Sequence, residues 1–380
     1  MKEDIVTIIP SLYEGGAEKF AADLSLRLDG TFNHKTVVYN PTAHRYDHAG
    51  EVIELDVPPR STPLGRFVRQ LRIVKQLKRL KQQWSPKVVI SHMLMANMLN
   101  VLSRKNERTV CVLHGEWSIK TGGSWLLRRF VRRQYQKADQ IVSVSHYIKE
   151  MFDSHYQLDV PHEVIYVGLP VETILREALQ PPHVSLPNSY MVYVAGFRPV
   201  KNHLALIDAL EVYLKLNPIS LVLLGDGPLR SEIEDRVKSL GLSEKVLLLG
   251  NVPNPYPIVK GATLSLMVSE SESFSLVVVE SMILGVPVIA TDCGGPREIL
   301  APDWNEQVSL PYQSPYGKLI DKPDQWKPDS LSQWIDDLLK DKQACANVVS
   351  NARQRAEAFS IRHSEERYKA LLRRLIQKNG

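Results

Sequence analysis

Residues 268–298 read VSESESFSLVVVESMILGVPVIATDCGGPRE. An apolar run ending at Val268 leads into a serine-rich loop, then the apolar helical stretch Leu276 to Leu284, a second β-branched run from Pro287 to Ala290, and a turn at Gly294-Gly295. Strand, loop, helix and strand in that order make a βαβ unit, whose two strands lie parallel in one sheet. The loop from Ser271 to Ser275 aims backbone N–H groups, together with the start of the helix behind it, at one point, and such a point binds phosphate. Ser273, Phe274, Ser275 and Leu276 are therefore candidate diphosphate-binding residues. Glu272 precedes the helix, whereas Glu280 lies about one and a half turns into it, which predicts the two carboxylates at opposite ends of the phosphate position. A carboxylate accepts two hydroxyl hydrogen bonds at once. One of the pair suits a transferred sugar and the other the ribose of a nucleotide.

The same alternation runs outward along the chain. Short apolar runs at 5–10, 36–39, 88–91, 109–113 and 140–144 are separated by helical patterns at 64–83, 94–104 and 124–137. Another helix follows Gly15-Gly16, with Phe20, Ala21, Leu24 and Leu28 on one face. At 179–189 (LQPPHVSLPNS) three prolines interrupt all periodicity, as a linker does. Beyond it the pattern restarts, with strands at 191–195, 221–224, 246–249 and 264–268 and helices at 204–216, 228–240 and 255–261. Strands alternating with helices predict parallel sheets covered on both faces. The expected fold class is α/β, with two Rossmann-like domains facing across a cleft at the carboxyl ends of their strands. Residues 1–178 form the first domain of that scheme and 190–358 the second. The helix in 359–380 crosses back to the first.

Glu272 and Glu280 with seven residues between them, followed by Gly285-Val286-Pro287-Val288 and Gly294-Gly295, resemble the family-4 retaining glycosyltransferases of the GT-B fold. NVPNPYPIVKGATLSLMVSESESF (251–274) and GGPREIL (294–300) are similar to the bacterial surface-polysaccharide and lipid-linked oligosaccharide branch. In the resembling family an Arg and a Lys after the first strand of the second domain neutralise the diphosphate. In VAGFRPVKNH (194–203) Lys201 matches the lysine, while the usual arginine position holds Gly196 and Arg198 stands two residues later. The resemblance implies Lys201 and Arg198 as donor ligands. GDGPLR (225–230), with Gly225 and Gly227, resembles the turn near the nucleotide base. In the first domain Gly15-Gly16-Ala17-Glu18 resembles the turn whose glycines let the backbone approach donor phosphate and acceptor. His114 resembles the cleft histidine near the reacting carbon, and His92, in SHMLMAN (91–97), an acceptor-side motif. Where the family usually carries glycine this chain has Ser273 and Ser275, a less permissive loop. His34, His44 and His48 read as surface residues.

The resemblance implies a hexosyltransferase-type enzyme that moves a sugar from a nucleotide-diphosphate sugar, by resemblance a UDP-sugar, to a hydroxyl of a polyprenyl-diphosphate-linked glycan. It implies retention by same-face attack, without a general base. No cofactor or metal is expected, because Lys201, Arg198 and the loop amides take the charge of the diphosphate. Glu270-Ser271-Glu272 is the nearest approach to an Asp-x-Asp motif. A sugar-nucleotide epimerase or hydrolase of the same fold, which would need titratable groups in place of an acceptor site, is one competing reading. A catalytically silent, membrane-associated binding protein is another. A nicotinamide dehydrogenase ranks last, for want of G-x-G-x-x-G with an acidic residue about twenty positions on.

Composition sets the remaining bounds. At 44% hydrophobic and 23% charged, the 380 residues are those of an ordinary globular protein long enough for two cores. No stretch reaches ~18 uninterrupted apolar residues, and Lys2, Glu3 and Asp4 do not open a signal peptide. Cys111, Cys293 and Cys345, far apart and odd in number, fit a reducing cytoplasm and no zinc site. The net charge of +5 is uneven: residues 60–137 carry 18 Lys/Arg against Glu107 and Glu116. Basic helices at 64–81 and 125–137 carry Leu64, Phe67, Leu71, Val74 and Leu77, and Trp125, Leu126, Phe130 and Tyr135, beside their arginines. That composition predicts an apolar stripe turned inward and cations turned to an anionic membrane, the inner leaflet of the cytoplasmic membrane. No recognition motif accompanies the charge, so nucleic acid is not an expected partner.

Overall fold

The computed structural model describes residues 2–13, 15–40, 46–59, 61–115, 124–301, 303 and 308–377. The chain divides into two compact units, Met1–Gly168 with Ile361–Gly380, and Leu169–Ser360. In the first unit seven strands form one sheet: β1 (Asp4–Ile9), β2 (Asn33–Val38), β3 (Glu51–Glu54), β4 (Val88–His92), β5 (Arg108–Leu113), β6 (Gln140–Ser143) and β7 (His162–Val164). They lie in the order β3-β2-β1-β4-β5-β6-β7, and every neighbouring pair is parallel. Ile5, Ile8, Val88, Val89 and Val110 are wholly buried, as strands covered on both faces require. The connecting helices are α1 (Gly16–Leu28), α2 (Pro63–Trp84), α3 (Leu94–Leu102), α4 (Trp125–Tyr135) and α5 (His146–Tyr156).

The second unit starts with α6 (Val171–Glu177) and repeats the plan. Its strands are β8 (Tyr190–Val194), β9 (Ser220–Leu224), β10 (Val246–Gly250), β11 (Leu264–Met267), β12 (Val288–Thr291), β13 (Tyr312–Ser314) and β14 (Gly317–Ile320). The order is β10-β9-β8-β11-β12-β14-β13, parallel except for the β13–β14 hairpin. Helices α7 (His203–Leu216), α8 (Arg230–Ser239), α9 (Tyr256–Lys260), α10 (Leu276–Leu284), α11 (Gly295–Leu300), α12 (Ser330–Leu339) and α13 (Lys342–Ala356) complete it. The last helix, α14 (Ile361–Gln377), belongs to the first unit, where it packs on α1 and β4.

Strand order reverses between β1 and β4 in one sheet and between β8 and β11 in the other. In open α/β sheets such a switch point leaves a crevice beyond the carboxyl ends of the strands, where ligands bind. The turns at Gly15-Gly16 and His92 follow the switch-point strands of the first sheet. The turn carrying Arg198 and Lys201 and the loop carrying Glu272 follow those of the second.

Several expectations need correction. The chain divides at Gly168–Leu169 rather than in the proline run 179–189, because α6 packs on α9 and α10 and so belongs with the second unit. The strands β3 (EVIE), β7 (HEV) and the β13–β14 hairpin were not expected; they are too short or too charged to show periodicity. His34 is no surface residue: it is buried on β2, with Nε2 2.9 Å from Thr7 Oγ1, and burial lowers its pKa to about 4. His48 is half-buried, its Nδ1 3.2 Å from the Tyr46 carbonyl, and His44 lies outside the described residues.

Helices α2 and α4 form, but their apolar stripe does not turn inward along its whole length. Ile73 and Leu77 of α2 and Val131 and Tyr135 of α4 are buried. The first turns, with Leu64, Phe67, Leu71, Trp125, Leu126 and Phe130, face solvent. Nor do all the cations face outward. Arg69 donates to the carbonyls of Val57 and Tyr39.

Lys81 is the extreme case. Its Nζ lies 2.7 Å from Glu107 Oε1 and donates to Asn100 O at 2.9 Å and Oδ1 at 2.8 Å, and the lysine and glutamate side chains are each 2% exposed. Burial pushes the Lys81 amine down to about 8, against the pull of Glu107. Removing one partner of such a pair leaves a buried charge uncompensated. Lys81→Met is expected to lower unfolding free energy by about 3–5 kcal/mol in urea titrations; a loss within ~0.5 kcal/mol would contradict this role.

Candidate functional site

Two of the residues expected to bind the donor, Lys201 and Glu272, come together in the second unit at the β8–β11 switch point. Asn202 takes a left-handed conformation (φ 53°), which Asn tolerates better than most residues, and its Nδ2 donates to Val268 O at 3.1 Å. Tyr193 OH donates to Lys201 O at 2.8 Å, and the Glu270 amide donates to Val200 O at 2.8 Å. These bonds stitch the turn after β8 to the loop after β11. Lys201 Nζ then donates to Glu272 Oε1 at 2.5 Å. Ser269 Oγ donates to the same oxygen at 2.8 Å, which leaves Oε2 without a partner among the described residues.

Glu272 is held by its backbone as well. Its amide donates to Cys293 O at 3.1 Å and its carbonyl accepts from the Gly295 amide at 2.9 Å, an isolated parallel bridge between Glu272 and Gly294. Position 295 has no room for a side chain, since a Cβ on Gly295 would lie 2.3 Å from Phe274 Cα, and Gly294 sits at φ 116°. Ser275, at φ 79°, starts α10 in a left-handed conformation and gives the helix no side-chain cap. The first amides of α10 have no intrahelical acceptor and sit at the positive end of the helix. Ser275 thus adopts the glycine-type conformation of the resembling family without being glycine.

The other residues expected to bind the donor lie in the same unit. Arg198 is exposed, and its guanidinium engages no described residue. Gly225 (φ 137°) and Gly227 pack under residues 195–197; added Cβ atoms would meet Ala195 O at 2.1 Å and Phe197 O at 2.6 Å. Glu280, on α10, has Oε1 3.4 Å from the Tyr256 hydroxyl of α9. Glu270 and Glu272 end on different lysines, Lys322 (2.8 Å) and Lys201. Ser273, Phe274 and Leu276 complete the loop, with Phe274 buried against Phe359. Sequence reading missed Ser269 and Tyr193. Their only signal is a position at the mouth of a strand, which many serines and tyrosines share.

In the first unit Gly15 (φ 111°) opens α1 and Gly16 is its first residue, again with no side-chain cap. His92 ends β4 and His114 follows β5, so adjacent strands bring the two rings together, His92 Nδ1 lying 2.8 Å from His114 Nε2. Burial lowers His114 to about 3, and lowers His92 with the help of His114. Met93, next in sequence, sits at φ 75°, ψ 157°, a region that only glycine occupies without strain.

Among known proteins, two family profiles match consecutive stretches of the chain: Glycosyltransferase Family 4 over residues 14–173 and Glycosyl transferases group 1 over residues 177–355. The chain belongs to the family-4 glycosyltransferases of the GT-B fold, and it is a glycosyltransferase enzyme. It is 26% identical, over 92% of its length and 94% of the relative's, to the N-acetylgalactosamine-N,N'-diacetylbacillosaminyl-diphospho-undecaprenol 4-alpha-N-acetylgalactosaminyltransferase of Campylobacter jejuni. It is also 26% identical to the lipopolysaccharide 1,6-galactosyltransferase of Salmonella typhimurium, over 46% of this chain and 49% of that one. HepE of Anabaena, solved in complex with UDP, superposes with a TM-score of 0.74 at 20% identity, covering 98% of this chain and 99% of that one. Sucrose-phosphate synthase of Thermosynechococcus elongatus superposes at 0.78 with 17% identity, over 99% and 100%.

Proposed function

We propose that this glycosyltransferase moves a sugar from a UDP-sugar to a hydroxyl of a polyprenyl-diphosphate-linked glycan, with retention of anomeric configuration. The observation that carries the donor half is the Lys201–Glu272 pair at the β8–β11 switch point, beside the uncapped start of α10. A cation and a helix N-terminus suit a diphosphate, and Glu272 Oε2, the carboxylate oxygen still open, suits a sugar hydroxyl. HepE, solved with UDP, supports the choice of base. The name of the Campylobacter jejuni relative describes a diphospho-undecaprenol-linked acceptor, which supports the choice of acceptor.

In the proposed reaction the bond between the anomeric carbon and the phosphate oxygen breaks, and the acceptor oxygen bonds the same face of that carbon. The departing diphosphate takes the hydroxyl proton. Lys201, Arg198 and the amides from Phe274 to Leu276 stabilise the charge that develops on it, so neither a metal nor a general base is invoked. Glu272 orients the sugar and Glu280 the ribose, while Gly225 and Gly227 shape the turn near the base. Gly15 and Gly16 let the backbone approach donor phosphate and acceptor, and His114 serves the reacting carbon.

Attachment to the anionic inner leaflet of the cytoplasmic membrane belongs to the same proposal. Among the described residues no helix is long and apolar enough to cross a membrane. Phe67 (61% exposed) and Trp125 (66%) instead stand with Leu64, Leu71 and Leu126 among exposed Arg66, Arg72, Arg129 and Arg133. Apolar side chains interleaved with cations suit an interfacial lipid surface.

Lys201→Ala and Glu272→Ala are each expected to lower transfer from UDP-sugar by roughly a hundredfold or more with unchanged circular dichroism; wild-type turnover in both would end the assignment. In vesicle sedimentation, binding is expected to require anionic lipid, to weaken with salt, and to fail in the double variant Phe67→Asp with Trp125→Asp. Binding indifferent to lipid charge and to these substitutions would remove the membrane reading.

A further inference from the structure

The His92–His114 contact has a chemical consequence beyond proximity. Each ring is neutral, since burial disfavours the imidazolium of both. A neutral imidazole has one N–H and one bare nitrogen, so a single proton lies between His92 Nδ1 and His114 Nε2, 2.8 Å apart. Whichever ring donates it fixes the tautomer of both.

His92 is 1% exposed, and its other nitrogen, Nε2, is buried with no hydrogen-bond partner among the described residues. If His114 were the donor, His92 would have to carry its proton on that orphaned Nε2. Buried N–H groups without an acceptor are rarer than under-used acceptors, and leaving one unpaired costs its full desolvation penalty. The opposite arrangement buries only a lone pair. Phe20 of α1 lies edge-on to both rings, at centroid distances of 6.4 and 6.1 Å, and offers no acceptor oxygen to His92.

We infer that His92 is a positioning residue: its Nδ1–H donates to His114 Nε2 and thereby holds His114 in the tautomer that carries its proton on Nδ1. His114 Nδ1 engages no described residue, and His114 is only half-buried. The atom left for a ligand is therefore a hydrogen-bond donor. It can hold an oxygen of the acceptor or of the transferred sugar but cannot accept a proton from it, which agrees with a transfer that uses no side-chain base. The strained backbone of Met93, directly after His92, is the kind of feature that persists where a geometry is functionally required.

The role of His114 in transfer rests on the function proposed above; the tautomer does not. Long-range 15N–1H correlation spectra of the full-length protein, with His114 assigned by comparison with His114→Gln, distinguish a protonated ring nitrogen from a bare one. The expected spectrum shows His114 protonated at Nδ1 and bare at Nε2. Protonation at Nε2, or rapid exchange between the two forms, overturns the inference whether or not the enzyme turns over. In transfer assays His92→Phe, which cannot donate, is expected to lower kcat about tenfold with donor KM within about twofold, because an imidazole in the wrong tautomer cannot play its part. His92→Asn, whose amide N–H stands where Nδ1 does, is expected to recover most of that loss. Equal kcat in the Phe and Asn variants would mean that His92 acts only by filling space, and would also overturn the inference.

Discussion

Glu272 is fastened through its amide to Cys293 O and through its carbonyl to the Gly295 amide, and the placement of its carboxylate depends on that attachment. The loop after β11 cannot lie against the turn after β12 unless residue 295 lacks a side chain, because Phe274 Cα occupies the place of a Cβ. Once it does, Ser275 leads into α10 in a left-handed conformation, and amides without an intrahelical acceptor follow. The carboxylate of Glu272 is delivered to Lys201 and Ser269, which share one of its oxygens. Catalysis of group transfer requires preorganised charge, set in place before the substrate arrives. A backbone clamp supplies that order: the isolated bridge joins the loop after β11 to the turn after β12, just beyond the ends of two paired strands.

Much of this was legible in the sequence because it depends on local rules. Parallel strands buried on both faces are nearly continuous apolar runs, so β1, β4, β5, β8, β9 and β11 stand out. The paired glutamates, Lys201 and the glycine turns carry their message in spacing. Edge strands do not: β3 and β7 are short, polar and paired on one side only. Side-chain partnerships between distant segments were also hidden. Nothing in the order of residues says that Lys201 ends on Glu272, 71 positions away, or that the histidines closing β4 and β5 touch. Those facts follow from strand order, which brings chain segments side by side only after the sheet is wound.

Periodicity misled most on the basic helices. A repeating pattern of leucines and aromatics between arginines was expected to be an inward stripe with charges outward. Yet α2 runs 22 residues, about 33 Å at the helical rise, whereas the strands of its unit run only 3 to 6 residues, about 20 Å at most. Only its second half reaches the core through Ile73 and Leu77, and the first turns extend their apolar side chains into solvent beside cations. At Lys81 the reverse occurs, and a cation within the helix is buried against Glu107. The same basic block therefore serves two purposes, one internal pairing and one exposed surface, which net charge alone does not separate.

The central claim is that the switch point of the second sheet grips a diphosphate. Calorimetric titration of the wild-type protein and of Lys201→Ala with UDP and with uridine tests it most directly. UDP is expected to bind the wild type about a hundredfold more tightly than uridine, since charge-assisted bonds to phosphate are the strong ones. Lys201→Ala is expected to remove most of that difference while leaving uridine affinity unchanged. Equal affinity for UDP and uridine in the wild type, or an undiminished preference for UDP in Lys201→Ala, would contradict the placement of the diphosphate at Lys201 and the loop of Glu272.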